Sequence, residues 1–309
     1  MFKYILKRIA MSIVVIFLIA TITFWLCRAI PGGPFDRDKP LNETIIANLN
    51  KKYNLDKPVM EQYFDYMVDV ATFDFGPSYY YSNETVNDYI ERCFPPSFLL
   101  GVCAMIVAIV TGIPAGILSA LKQNKAADNI IKVLTTILVS LPNFVIASGL
   151  MYFLGYKLKL LPVALWGTPE QMVMPVLALS AYPLSYITKM MKTSMLEVMN
   201  SDYIRTARAK GASNFLLIYK HALKNAILPV ITVLGPMFAG IITGSLVVEK
   251  IFTIPGLGQQ FTTAIFNRDY TMIMGLTIFY SILLIGSILI VDIVYALVDP
   301  RIKLGKESE

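Results

Sequence analysis

The sequence predicts an all-α, polytopic membrane protein with six transmembrane helices, and three observations carry that prediction. First, 56% of the 309 residues are hydrophobic, only 16% are charged and the mean hydropathy is +0.60, a balance far from that of a soluble domain. Second, six stretches match the roughly 20 apolar residues of helix that a bilayer core requires. They are residues 9–27, 98–121, 133–156, 171–188, 225–248 and 270–291, and none contains Asp, Glu, Lys or Arg. Third, the cations segregate. The N-terminal tail, 122–132, 189–224 and the tail after Asp299 hold 16 Lys and Arg, whereas the alternate segments 31–92, 157–170 and 249–269 hold 10 over a greater length. Cationic residues resist translocation, so both termini and the 189–224 loop are expected in the cytoplasm. Topology thereby accounts for the net charge of +6, and no nucleic acid is needed as a partner.

Taken in order, the first stretch follows Lys3, Lys7 and Arg8, the flank of a secretory signal. Its apolar run exceeds the usual signal length and no small-residue cleavage site follows, so residues 1–30 are expected to be a tail and a retained first span. Residues 31–97 are expected to form an extracellular helical segment. Ile45, Ile46, Leu49 and Tyr53 fall at helical spacing behind a cap at Asn42, and Met60, Tyr63, Phe64, Met67 and Ala71 repeat the pattern after Pro58. Residues 98–299 hold the other five spans as a helical core with the 189–224 loop, and 300–309 form a cytoplasmic tail. Gly112, Pro114, Pro142, Pro175, Pro183 and the Gly235-Pro236 pair punctuate the spans, and kinks are expected there.

The chemistry that is missing narrows function. A single histidine, His221, allows neither an H-E-x-x-H zinc site nor a His-dependent triad. No G-x-S-x-G elbow or phosphate-binding loop occurs, so energy from a nucleotide must come through another chain. Cys27, Cys93 and Cys103 sit in apolar surroundings and suggest neither a disulfide framework nor a thiolate metal site. Glu249 and Asp292 flank the last two spans; capping, or pairing with Lys250 or Arg301, is set against a functional role. So few ionisable groups at membrane depth argue against an ion-coupled carrier.

One stretch stands apart, DYIRTARAKGASNFLLIYKHALKN, from Asp202 to Asn225. From Met195, the residues Leu196, Met199, Tyr203, Ile204 and Ala207 keep one side of a helix that Gly211 ends, and Phe215, Leu216, Tyr219 and Leu223 form the apolar face of a second helix leading into the fifth span. Glycine suits the left-handed cap that such a break requires. Physics alone leaves two readings open: an interfacial hairpin attracted to anionic lipid, or a docking element for a partner.

At these residues the chain resembles the membrane-spanning subunits of binding-protein-dependent ABC importers. Ala207, Gly211 and Leu223 match the spacing of their cytoplasmic Glu-Ala-Ala loop, although Arg205 stands where the general motif has Glu, so the charge partner expected there does not carry over. The string DYIRTARAKGAS, with IPGGPF, YNLDKPVMEQYFDYM, FDFGPS, VVEKIFTIPGLGQ and VDIVYALVDPRIK, resembles the B-type permease of the oligopeptide and dipeptide branch over nearly the whole chain. The resemblance implies a coupling helix involving Asp202, Tyr203, Arg205, Ala207, Gly211 and Leu223, and an external loop at Pro255, Gly256 and Gly258. It also implies a second homologous permease subunit, two cytoplasmic ATPase subunits binding ATP and Mg, an extracellular peptide-binding protein, and a multi-pass location in the bacterial plasma membrane. This chain itself would be non-catalytic and without a cofactor. Nickel and glutathione permeases share the scaffold. A membrane enzyme would need a catalytic constellation that the sequence lacks, and a passive channel would have no use for the basic module.

Overall fold

The computed structural model describes residues 2–35, 42–242 and 246–298, with side chains from residue 6 to residue 293. The expected tail 300–309, with Arg301, lies outside them. Among the described residues all regular structure is helical; one isolated antiparallel bridge joins Pro77 and Thr85. The chain divides into two compact units, Met1–Pro95 with Gly256–Ile285, and Pro96–Pro255 with Gly286–Glu309.

In the first unit, α1 (Phe2–Ala29) carries no charge from Ile9 to Cys27 and buries Ala20, Phe24 and Cys27, spaced i, i+4, i+7. The two short helices expected in 31–97 are present as α2 (Glu43–Lys52) and α3 (Val59–Thr72). Asn42 caps α2 by accepting a bond from the Thr44 amide, and Pro58 precedes the first residue of α3, both local signals readable in the sequence. Tyr63 and Tyr66 of α3 pack on Phe24, and the Tyr63 hydroxyl lies 2.9 Å from Thr21 Oγ1. The start of α4 (Val86–Leu121), helix α13 (Leu257–Phe266) and the start of α14 (Tyr270–Val298) complete this unit. Its hub is Asp269, buried at the N-terminus of α14. Oδ1 accepts from the amides of Tyr79 (3.0 Å) and Met272 (3.2 Å) while Oδ2 accepts from Ser78 Oγ, so one carboxylate caps a helix and ties down a loop 190 residues away.

The second unit contains most of α4 (Val86–Leu121) and α7 (Pro169–Met199). Both run on as helix through their prolines. Gly112 and Gly116 of α4 have a packing role. A Cβ at Gly116 would lie 2.6 Å from Met191 Cβ and 2.7 Å from the Thr188 carbonyl of α7, and one at Gly112 would lie 3.1 Å from the Leu184 carbonyl. This is the close backbone approach that small residues four apart permit.

The third stretch is not one straight span. Helix α5 (Ala126–Ser140) meets α6 (Asn143–Leu150), which runs on as a π-helical segment to Lys157, at an angle of 105°. Pro142 forces the preceding Leu141 into extended backbone, φ −86° and ψ 127°, which ends a helix. The fifth stretch also breaks, by 48°. The bend lies between Asn214–Ala226, made of α9 (Asn214–Leu216), a π segment (Leu217–Ala222) and α10 (Leu223–Ala226), and α11 (Leu228–Ile242), with α12 (Leu246–Phe252) beyond. Among the described residues, three helices are long and apolar enough to cross a membrane, or up to five if each bent pair is one span; α7, though 31 residues long, is not among them.

Among the described residues of this unit, two carboxylates are buried. Asp128 of α5, fully enclosed, accepts from Lys192 Nζ of α7 (2.5 Å), Lys132 Nζ (2.9 Å), Ser119 Oγ of α4 (2.5 Å) and the Asn124 amide (2.9 Å). Glu249 is equally enclosed, and its carboxylate accepts from Ser97 Oγ at 2.8 Å.

Candidate functional site

The basic stretch forms a helical hairpin at the end of α7, but its first limb is not the single helix expected from Met195. Helix α7 stops at Met199, Ser201 adopts extended backbone, and α8 (Asp202–Ala209) starts afresh. Asp202 lies in its first turn and Arg208 in its last, both favourable with the helix dipole. The Asp202–Arg205 ion pair, 3.6 Å long and almost wholly exposed, adds little.

Gly211 adopts φ +82° and ends α8 as the sequence suggested. Its amide bonds to the Arg208 carbonyl (3.0 Å), and the Ala212 amide reaches back to Ala207 (3.2 Å), which closes the helix end with a left-handed glycine in a Schellman arrangement. Ser213 then opens the second limb by accepting from the Leu216 amide.

Burial sorts the residues into an anchored set and a projecting set. Ile204, Leu217, Ala222 and Ala226 are fully buried against Met191 and Met195 of α7, and Ala207 and Leu223 are half-buried on the same cluster. Across the hairpin, Asn225 Nδ2 donates to the Tyr203 hydroxyl at 2.8 Å. Asp202, Tyr203, Arg205, Arg208, Lys210, Lys220 and Lys224 are exposed. So are Phe215 (70%) and Tyr219 (54%), whose rings lie 4.4 Å apart.

Sequence periodicity put Phe215, Leu216, Tyr219 and Leu223 on one apolar face. The π segment Leu217–Ala222 shifts the helical phase, so that Leu217 and Ala222 are buried while Phe215 and Tyr219 project. Their i, i+4 spacing was the signal for this pair, and the wider turn decided which way it faces.

At the other predicted loop, Ile254, Gly256, Leu257 and Gly258 are buried and Pro255 is exposed. Gly256 precedes α13 in extended backbone, φ −105°, and Gly258 lies within its first turn. The left-handed position falls instead on Thr253, φ +55°, where the Ile254 amide bonds to the Glu249 carbonyl at 2.8 Å. Thr is an unusual residue there.

The fold defines a class. It is similar to a chain of a methionine ABC transporter crystallised in inward-facing conformations, with a TM-score of 0.57, 16% identity and coverage of 68% of this chain and 96% of that one. An amino acid ABC transporter chain matches with a TM-score of 0.51, 16% identity and coverage of 69% and 94%. With its long apolar helices, the chain is a multi-pass membrane protein of the ABC transporter permease fold. It belongs to the family of binding-protein-dependent transport system inner membrane components, whose model matches residues 112–304, preceded by that family's N-terminal model over residues 1–100. Among curated relatives, a dipeptide transport system permease protein of Bacillus subtilis is 46% identical over 308 residues, covering 100% of both chains. An oligopeptide transport system permease protein of Salmonella typhimurium is 42% identical over 305 residues, covering 98% of this chain and 100% of the relative.

Proposed function

We propose that this chain is one permease subunit of an ATP-driven importer of short peptides. It would form the path with a second, homologous permease subunit and be driven by two cytoplasmic ATPase subunits that bind ATP and Mg. An extracellular peptide-binding protein would deliver the solute. The observation that carries the proposal is the 46% identity to a dipeptide permease over 308 residues, the full length of both chains. The location is the bacterial plasma membrane. The chain contributes no catalytic group and no cofactor.

In this reading there are six crossings: α1, α4, the bent pair α5–α6, α7, the stretch α10–α11, and α14. At about 1.5 Å per residue α7 is long enough for the fourth; its modest hydropathy follows from Ser180, Ser185, Thr188 and two tyrosines on a helix with 14 buried residues. The cation distribution favours cytoplasmic termini and a cytoplasmic hairpin. The hairpin is the coupling element. Ala207 and Leu223 seat it on α7, Gly211 sets its angle, and Asp202, Tyr203 and Arg205 meet the ATPase together with Phe215 and Tyr219. Swinging a two-state permease from about 1:99 to 99:1 takes ~5.5 kcal/mol of differential binding, which suits an anchored hairpin rather than a loose loop. Pro255, Gly256 and Gly258 form the external loop.

The test is reconstitution of the two permeases and the ATPases in liposomes with the binding protein. Peptide accumulation that depends on ATP hydrolysis is the expected result; ATP-driven uptake of nickel or glutathione and not of peptides would reassign the solute.

A further inference from the structure

A cavity of about 520 Å³ opens on the second unit between α6, α7 and α11. Asn143 lines it from the start of α6 at the 105° bend, Tyr182, Pro183 and Tyr186 from α7, and Thr232 and Pro236 from α11. Among the described residues, no charged side chain, histidine or cysteine lines it.

Its polar groups are all uncharged. Pro183 and Pro236 lack the amides that would bond to the carbonyls of Leu179 and Thr232, four residues back, and both of those residues line the cavity. Two carbonyls are thus released from the regular helical ladder beside the Asn143 amide and the hydroxyls of Tyr182 and Tyr186. Non-regular backbone at membrane depth is tolerated where it lines a cavity.

The two tyrosines point to the occupant. They are 47% and 37% exposed, one turn apart, with ring centroids 6.3 Å apart, and they flank the midpoint of the 31-residue α7. Lipid-facing tyrosines belong at the membrane interfaces, where the hydroxyl reaches water, and a hydroxyl facing hydrocarbon halfway along a span leaves a polar group unsatisfied. A metal ion would find no carboxylate, imidazole or thiolate here, and an anionic solute no cation. A main chain of alternating amide donors and carbonyl acceptors, with side chains of varied size, matches both the polar groups and the apolar wall.

We propose that this cavity is a peptide-binding segment of the transport path, in which Tyr182, Tyr186 and Asn143 hydrogen-bond the main chain of the passing peptide and nothing grips its charged termini. This rests on the peptide-import reading above and adds the residues and the mode of recognition. Selectivity at this point would follow backbone chemistry rather than side-chain identity.

The experiment uses the complete transporter in liposomes with the binding protein. A photoreactive benzoylphenylalanine at position 182 should crosslink a labelled tripeptide only during ATP turnover. The double variant Tyr182→Phe and Tyr186→Phe should still assemble with its ATPases, yet take up that peptide about tenfold more slowly, the scale of two lost hydrogen bonds. Adducts formed only with lipid, or only with the second permease subunit, would overturn the proposal, as would wild-type uptake by the double variant. A wild-type complex that transports no peptide would refute the peptide-import reading itself, a different outcome from peptide uptake indifferent to these residues.

Discussion

Lys192 of α7 donates to the enclosed Asp128 of α5 at 2.5 Å, and Ser119 at the end of α4 donates to the same carboxylate oxygen. One acid thus pins three helices next to the point where α7 hands over to the hairpin. Removing one member of a buried pair strands the other, a loss of ~3–5 kcal/mol. Asp128→Ala should therefore lower the thermal midpoint of the purified subunit by many degrees, while Lys132→Ala, whose side chain is 47% exposed, should change it little. Dye-monitored unfolding in detergent measures both; equal effects of the two substitutions would contradict the three-helix pin.

Gly116 predicts a steric result. Because its Cβ would meet Met191 and the Thr188 carbonyl at under 3.0 Å, Gly116→Val should force α4 and α7 apart and destabilise by about 1–3 kcal/mol, the usual range for overpacking. Gly149→Ala, with nothing within 4 Å of the added atom, is the matched control. The same unfolding assay compares them.

The helix signals that proved legible were local ones: the Asn42 cap, Pro58 before α3, Gly211 at the end of α8. Each acts through neighbours within a few residues, so its meaning is written beside it. Gly112 shows the limit. A glycine within an apolar run reads alike whether it kinks a helix or admits a neighbouring backbone, and only the position of α7 decides. The same holds for Asp269, whose partners Ser78 and Tyr79 lie far away in sequence, and for Pro142, which showed that a bend was due but not that it would reach 105°. In the hairpin the composition announced a special segment, whereas the π segment that turns Phe215 and Tyr219 outward leaves no periodic trace.

Topology can be tested at positions the structure leaves open to reagent. In a background lacking Cys27, Cys93 and Cys103, a cysteine at Phe64, 62% exposed, should react with a membrane-impermeant maleimide on intact cells. One at the exposed Lys210 should react only after permeabilisation. Tyr63, which packs on Phe24, is the poorer probe. Labelling of Lys210→Cys from outside would invert the assignment drawn from the cations.

The last prediction separates a coupling element from a lipid-bound hairpin. At Gly211 an added Cβ would touch nothing within 4 Å, yet φ is +82°, so substitution is penalised by backbone conformation alone, ~1–2 kcal/mol for an ordinary L-residue. Asn tolerates this region better than other side chains do. Gly211→Leu should therefore abolish peptide-stimulated ATP hydrolysis and uptake together, Gly211→Asn should retain a substantial part of both, and all the variants should insert normally because position 211 lies in the hairpin turn. Phe215→Ala with Tyr219→Ala, removing exposed rings that support nothing in the buried cluster around Met191, should weaken retention of the ATPase subunits without lowering the thermal midpoint. A hairpin held only by anionic lipid predicts the reverse: little effect from either change, and release of the hairpin when Arg205, Arg208 and Lys210 are neutralised. Complexes in nanodiscs of defined lipid charge, assayed for stimulated over basal ATP hydrolysis, distinguish the two, and a Gly211→Leu complex with wild-type stimulation would end the coupling assignment.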